Sequence, residues 1–333
     1  MHPRIVALSK RMVEVYARLC AGLPLSIIIA CVPAYTWLWS GLRQRRKMQE
    51  KRRINVVPNN FYSNTPSIAD IENSFEYTLA GDTAPYDLGI DDALARRELQ
   101  ALAAHAPEFS PPATVGDPDA PPGYFWSNSQ FSGADAMAYY CYVRKLRPAT
   151  VLEIGSGYST LVACAALKAN GAGKLHCIEP YPRPFLRSRA DVDLILKPAQ
   201  EISSEYVNDL LKDGDILFID STHTVKTGSD CLHIYLRLLP KIRRDIHVHA
   251  HDIHLPFGIP QESMLHKQIH WTEQHLLLAF LLDNPKARIL FGSRYNEWRH
   301  RDLMETMMGG KAPPVGASFW FEYRGAHPRP AGG

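Results

Sequence analysis

Residues Val151 to Thr160 read V-L-E-I-G-S-G-Y-S-T: an apolar strand, an acidic residue, a G-x-G turn and the opening of a helix. Glycines at Gly155 and Gly157 let the backbone turn tightly and approach a ligand, while the amides at the helix start face whatever is bound there. That pattern points to a nucleotide-like cofactor. A dinucleotide fingerprint asks for a third glycine where this chain has Thr160, which counts against NAD. The acid also counts against it: Glu153 would repel a pyrophosphate and attract the ammonium of a methionine moiety.

Working outward, strand-like runs alternate with helical patterns, the order that gives a parallel sheet flanked by helices. A helix around Ser132 to Arg147 precedes the strand Thr150 to Ile154. The helix Tyr158 to Asn170 and the strand Lys174 to Ile178 follow, and then a short strand near Leu194 to Leu196. Next come a helix Ser203 to Leu211, a strand Asp215 to Ile219, a helix Asp230 to Leu239 and a strand Ile246 to His251. A helix Trp271 to Leu282 leads to two closing strands, Ala287 to Phe291 and Ala317 to Tyr323. The second strand ends in H-C-I-E-P, which puts Glu179 at the distance expected of a carboxylate that accepts from both ribose hydroxyls.

Two further clusters lie at strand ends. Asp220 closes the fourth strand in D-I-L-F-I-D-S-T-H, with His223 three residues on, beside the switch point where open α/β sheets place ligands. H-V-H-A-H-D-I-H ends the fifth strand with His251 and Asp252. Carboxylates on adjacent strand ends can share one divalent cation, so Asp220 and Asp252 are candidate metal ligands. The alternative is that Asp220 contacts the cofactor or caps a turn and the site works without metal. A zinc site built from His247, His249, His251 and Asp252 is disfavoured, because successive strand residues face opposite ways.

From about Tyr124 to Arg324 the chain resembles the class I S-adenosylmethionine (SAM)-dependent methyltransferases. FIDSTHTVKTGSD and HVHAHDIHLPFGIP further resemble the metal-dependent sugar O-methyltransferases of the macrocin type. The resemblance implies a Rossmann-like seven-stranded, mostly parallel α/β sheet with a final antiparallel strand. It implies a SAM site built from Glu153, Gly155, Ser156, Gly157, Tyr158, Glu179 and Asp220. By the same resemblance Asp220 and Asp252 hold a divalent metal, magnesium or a transition ion, and His223 takes the acceptor's hydroxyl proton. Residue 251 departs from the pattern: such sites tend to have a second acid there, and this chain has His. Metal-independent N-methylation and a non-catalytic, membrane-tethered partner protein stand as alternatives.

The 333 residues divide unevenly in charge. Residues 1–53 carry 11 Lys/Arg against Glu14 and Glu50, while the rest holds 26 basic and 32 acidic residues. A mildly acidic globular part argues against nucleic acid as a partner, since a groove for phosphates needs clustered positive charge. Leu19 to Trp39 is uncharged and long enough to cross a bilayer as a helix. Basic clusters flank it, the denser one running from Arg43 to Arg53, so the positive-inside rule places the catalytic part in the cytoplasm. Pro24 and Pro33 kink helices, which keeps an interfacial or re-entrant segment as the alternative. The expected divisions are a basic, membrane-associated segment 1–53, an accessory region with a Pro-rich linker 54–122, the catalytic domain 123–325 and a tail 326–333. The expected acceptor is a small molecule or lipid-linked glycan. The six scattered cysteines suggest neither a disulfide framework nor a zinc knuckle.

Overall fold

The computed structural model describes residues 60–79, 83–131 and 133–325, together with positions 47, 50 and 51. The expected membrane segment 19–39 lies outside the described residues. Among those described, no helix is long and apolar enough to cross a membrane.

The helices are α1 (Ile68–Glu72), α2 (Phe75–Thr78), α3 (Asp92–Ala103), α4 (Gly133–Leu146), α5 (Tyr158–Asn170), α6 (Pro184–Arg187), α7 (Ser204–Leu210), α8 (Asp230–His233), α9 (Gln261–Lys267), α10 (Glu273–Leu281), α11 (Ser293–Arg299) and α12 (Arg301–Met308). The strands are β1 (Thr150–Ile154), β2 (Lys174–Ile178), β3 (Asp193–Ile195), β4 (Ile216–Ile219), β5 (Ile246–Ala250), β6 (Ala287–Gly292) and β7 (Phe319–Tyr323). They form one seven-stranded sheet in the order β3-β2-β1-β4-β5-β7-β6. β1 to β5 pair in parallel, and β7 runs antiparallel to both β5 and β6. The expected reversed final strand is therefore present.

Every β1 residue is buried, because helices cover both faces of the sheet. Alternation sorts the side chains: Val151 packs into the layer of α4 and α5, whereas Leu152 and Ile154 pack on the other face. The strand order reverses between β1 and β4. Their carboxyl ends are tied by the Asp220 amide donating to the Ile154 carbonyl (2.8 Å), and β1 is tied to β2 by the Gly155 amide donating to the Ile178 carbonyl (3.0 Å).

Contacts divide the chain at Thr65/Pro66, so the stretch 66–122 belongs to the same compact unit as the sheet. The expected boundary at 123 falls inside that unit. Leu99 and Leu102 of α3 sit in the core with Met304, Met307 and Met308 of α12. The Pro-rich stretch is seated too: the Trp126 amide donates to the Pro112 carbonyl (3.0 Å), and Lys311 Nζ donates to the carbonyls of Ala106 and Phe109 (2.7 Å each). A long lysine side chain satisfying two carbonyls does here what a regular element does elsewhere.

Candidate active site

The carboxyl ends of β1, β2, β4 and β5 open into a cavity of about 570 Å3. Gly155, Ser156 and Glu179 line one end, and Asp220, His223, His251 and Asp252 line the other.

At the first end the turn is held by backbone constraint. Gly155 has φ +84°, and a Cβ there would stand 1.9 Å from the Asp220 carbonyl oxygen, so only glycine lets β1 and β4 approach this closely. At Gly157 a Cβ would meet no atom within 4 Å, so that position opens onto free space. The Ser156 hydroxyl is buried without a hydrogen-bond partner. Glu179 accepts from the Tyr181 amide (2.7 Å) and the Ser156 amide (3.3 Å), which leaves further lone pairs for a diol. An orphaned hydroxyl, open space beside a helix start and a fixed carboxylate suit the adenosyl cofactor that the sequence implies.

Two expected cofactor residues do not reach this space. Glu153 is fully buried, accepting from Tyr139 Oη (3.0 Å) and Thr160 Oγ1 (2.6 Å). It shares a strand face with Val151, so it points into the helical layer and not at a ligand's ammonium. Burial pushes its carboxyl up to about 7, and the hydrogen bonds from Thr160 and Tyr139 only partly offset that. Thr160, in the place of a third glycine, also accepts from the Gly157 amide (3.2 Å) and so ties the turn to Glu153. Tyr158 is buried as well: its hydroxyl donates to the Pro118 carbonyl (3.1 Å) and its ring stacks on Phe185.

The other end is an ionic cluster. His223 Nδ1 is 2.7 Å from Glu273 Oε2, while Nε2 lies 3.3 Å from Asp220 Oδ1 and 3.5 Å from Asp252 Oδ2. Glu273, on α10 and buried, also accepts from Ser221 Oγ (2.6 Å) and Tyr235 Oη (2.7 Å). It therefore fixes the imidazole's orientation. Burial alone would lower the His223 pKa, but Asp220 and Glu273 outweigh it and bring it up to about 10. Burial alone would likewise raise Asp220, yet the imidazoles of His251 and His223 hold it well below the usual carboxylate range. Asp252 moves the other way, raised by burial against the pull of the same imidazoles. His223 and Asp252 both have positive φ, 57° and 56°. Two non-glycine residues in the left-handed region at one site mark backbone strain held in place by its surroundings.

His247, His249 and His251 share one face of β5 but not one destination. His249 stacks on Trp320 (4.2 Å) and bonds Ser318 Oγ (2.7 Å), and His247 lies near Glu322. Only His251 reaches the strand end. The zinc reading fails on spacing along the strand, not on alternation.

Asp220, His223 and Asp252 offer ligand atoms that all lie within 4.8 Å of one another, so the residues fit a divalent cation. Trp271 packs its ring against His223 (4.4 Å), and Ser263, Lys267 and Ile269 line the same wall. Trp298 lines a separate cavity with Tyr86 and Tyr295. Beyond it, Met304, Met307 and Met308 of α12 are core.

Residues 152–253 match the family model of a methyltransferase domain. The chain carries a methyltransferase domain. An uncharacterized protein of Archaeoglobus fulgidus is 28% identical over 163 residues, covering 46% of this chain and 72% of that one. Similar solved structures include a putative O-methyltransferase from Klebsiella pneumoniae, at 16% identity, 71% and 91% coverage and a TM-score of 0.37. Another is the O-methyltransferase of Bacillus cereus in complex with SAH, at 13% identity, 70% and 91% coverage and a TM-score of 0.36.

Proposed function

We propose that this methyltransferase moves the methyl group of SAM to a hydroxyl oxygen of a sugar, glycolipid or similar small molecule. The observation that carries the reading is that His223, backed by the buried carboxylate of Glu273, lines the same cavity as Gly155, Ser156 and Glu179. An alcohol is a poor nucleophile until its proton is taken. In the proposed step the acceptor oxygen would take the methyl group from the sulfonium of SAM, the carbon–sulfur bond breaking as the carbon–oxygen bond forms, and the hydroxyl proton would pass to His223 Nε2 once that nitrogen has lost its own proton. Glu179 would hold the ribose, and Trp271 would offer a flat apolar surface for the acceptor beside His223. A divalent metal held by Asp220 and Asp252, when bound, offsets their charge, lessens the demand for a proton on His223 and lowers the pKa of the acceptor hydroxyl.

Calorimetry of the full chain with SAM and with SAH tests the first half of this reading. Binding that Glu179→Ala abolishes supports it, and no binding by the folded protein overturns it. A radiolabelled methyl-transfer screen over glycosides, glycolipids and amines tests the second half, and transfer to amines alone would move the acceptor atom to nitrogen.

The apolar stretch Leu19 to Trp39 and the basic run Arg43 to Arg53 support membrane attachment with the catalytic unit on the cytoplasmic side. Release of the full chain from membranes by alkaline carbonate would overturn a spanning anchor.

A further inference from the structure

Residue 251 is where this chain leaves the pattern of the metal-dependent enzymes it resembles, and its surroundings give the substitution a meaning. His251 is 3% exposed at the end of β5. Its Nε2 lies 3.4 Å from Asp135 Oδ2. That carboxylate is itself fixed, accepting from the amides of Ala317 (2.9 Å) and Ser318 (2.8 Å) and from Ser293 Oγ (3.0 Å). Gly316 is needed for this arrangement, since a Cβ there would stand 2.3 Å from Asp135 Oδ1. The imidazole's other nitrogen, Nδ1, makes no hydrogen bond. It is aimed between Asp220 Oδ1 at 3.5 Å and Asp252 Oδ2 at 3.9 Å.

Both separations are too long for good hydrogen bonds; the 3.5 Å one matches the roughly 3 to 3.5 Å between neighbouring donors around one ion with bonds of about 2.1 Å, and the 3.9 Å one needs Asp252 to move in by a few tenths of an ångström. A ring nitrogen turned to a buried carboxylate while the other faces the ion's place is the arrangement that orients metal-ligating histidines. Charge agrees. Four carboxylates, Asp135, Asp220, Asp252 and Glu273, lie against His223 and His251, and a His251 neutral at Nδ1, as a ligand must be, leaves a negative cluster that a dication complements.

We infer that His251 Nδ1, with Asp220 and Asp252, forms a mixed nitrogen–oxygen metal site that selects a transition ion such as Mn(II) or Co(II) over magnesium. Asp135 is its positioning residue. His223, whose Nε2 also lies within reach of both carboxylates, is assigned to the acceptor's proton and not to the ion, oriented by Glu273 and packed against Trp271. Magnesium favours an all-oxygen shell, and an imidazole ligand shifts preference toward the transition series. The inference rests on the methyl-transfer reading only for what the metal is used for.

The test is direct binding to the full-chain protein stripped of metal, by calorimetry with MnCl2 and MgCl2 and by electron spin-echo spectroscopy of bound Mn(II). Mn(II) should bind at least about tenfold more tightly than magnesium, with a nitrogen coupling in its spectrum. His251→Ala should remove both the coupling and the preference, and His251→Asp should restore magnesium binding. His223→Ala should leave the coupling in place. The wild-type preference and spectrum stand even if a His251 variant fails to fold. Equal affinity for the two ions, Mn(II) without nitrogen coupling, or a coupling lost only in His223→Ala would each overturn the assignment. SAH titrated into the same sample separates the two readings: SAH binding without metal binding sinks the metal site alone.

Discussion

Glu153 should make the protein less stable as pH rises through neutrality. Its folded pKa of about 7 stands above the ordinary 4.5 because the carboxyl is fully buried. A raised folded pKa means that the native state holds the proton longer than the unfolded chain does. The stabilisation is therefore complete below about pH 4.5 and is lost as pH climbs through 7. The difference of about 2.5 units, at about 1.4 kcal/mol each, amounts to roughly 3 kcal/mol, of which about 2 to 3 falls between pH 5 and pH 8. No solvent screening reduces it, since the group is out of water. Glu153→Gln keeps the shape and removes the titration. Urea unfolding of the full chain in mild detergent at pH 5 and pH 8 gives the change for each protein, and any constant offset in the variant cancels. Wild type should lose about 2 to 3 kcal/mol more than the variant over that interval. PH profiles that agree within about 0.5 kcal/mol would refute the reasoning, and would mean that Glu153 is ionised inside the core.

Other perturbations test other parts of the site. Glu179→Ala should abolish calorimetric SAM binding while leaving the unfolding midpoint within a degree or two, because the side chain is half-exposed and bonds only to loop amides. His223→Ala should lower kcat by about 10²- to 10⁴-fold with SAM affinity retained; an unchanged kcat removes it as the base. Gly155→Ala should destabilise the fold by about 2 kcal/mol or more and abolish cofactor binding, since φ +84° and the Asp220 carbonyl both oppose a Cβ. Chelation with EDTA should suppress turnover, and Mn(II) should restore it more fully than magnesium; full activity in chelator would exclude metal from the mechanism.

The sheet was legible because each strand is a short apolar run closed by a turn signal, and Asp220 and Asp252 were legible because strand ends converge at a switch point. The direction of Glu153 was legible too, by counting alternation from Val151 along β1, but the charge argument for a ligand's ammonium drew the reading the other way. Nothing in the sequence nominated Glu273 or Asp135. They stand 50 residues after His223 and 116 residues before His251 along the chain, on α10 and α4, and only folding brings them to the rings. Their positions nevertheless explain why histidines can occupy this acidic mouth. Each ring spends one nitrogen on a buried carboxylate, which fixes its orientation, and keeps the other for the cavity. If that is the design, exchanging Glu273 for Gln should weaken His223 as a base without touching bound metal, and exchanging Asp135 for Asn should weaken the metal site before it affects His223. The two carboxylates stand behind rings that line the same cavity yet predict separable losses, because each acts through a different ring.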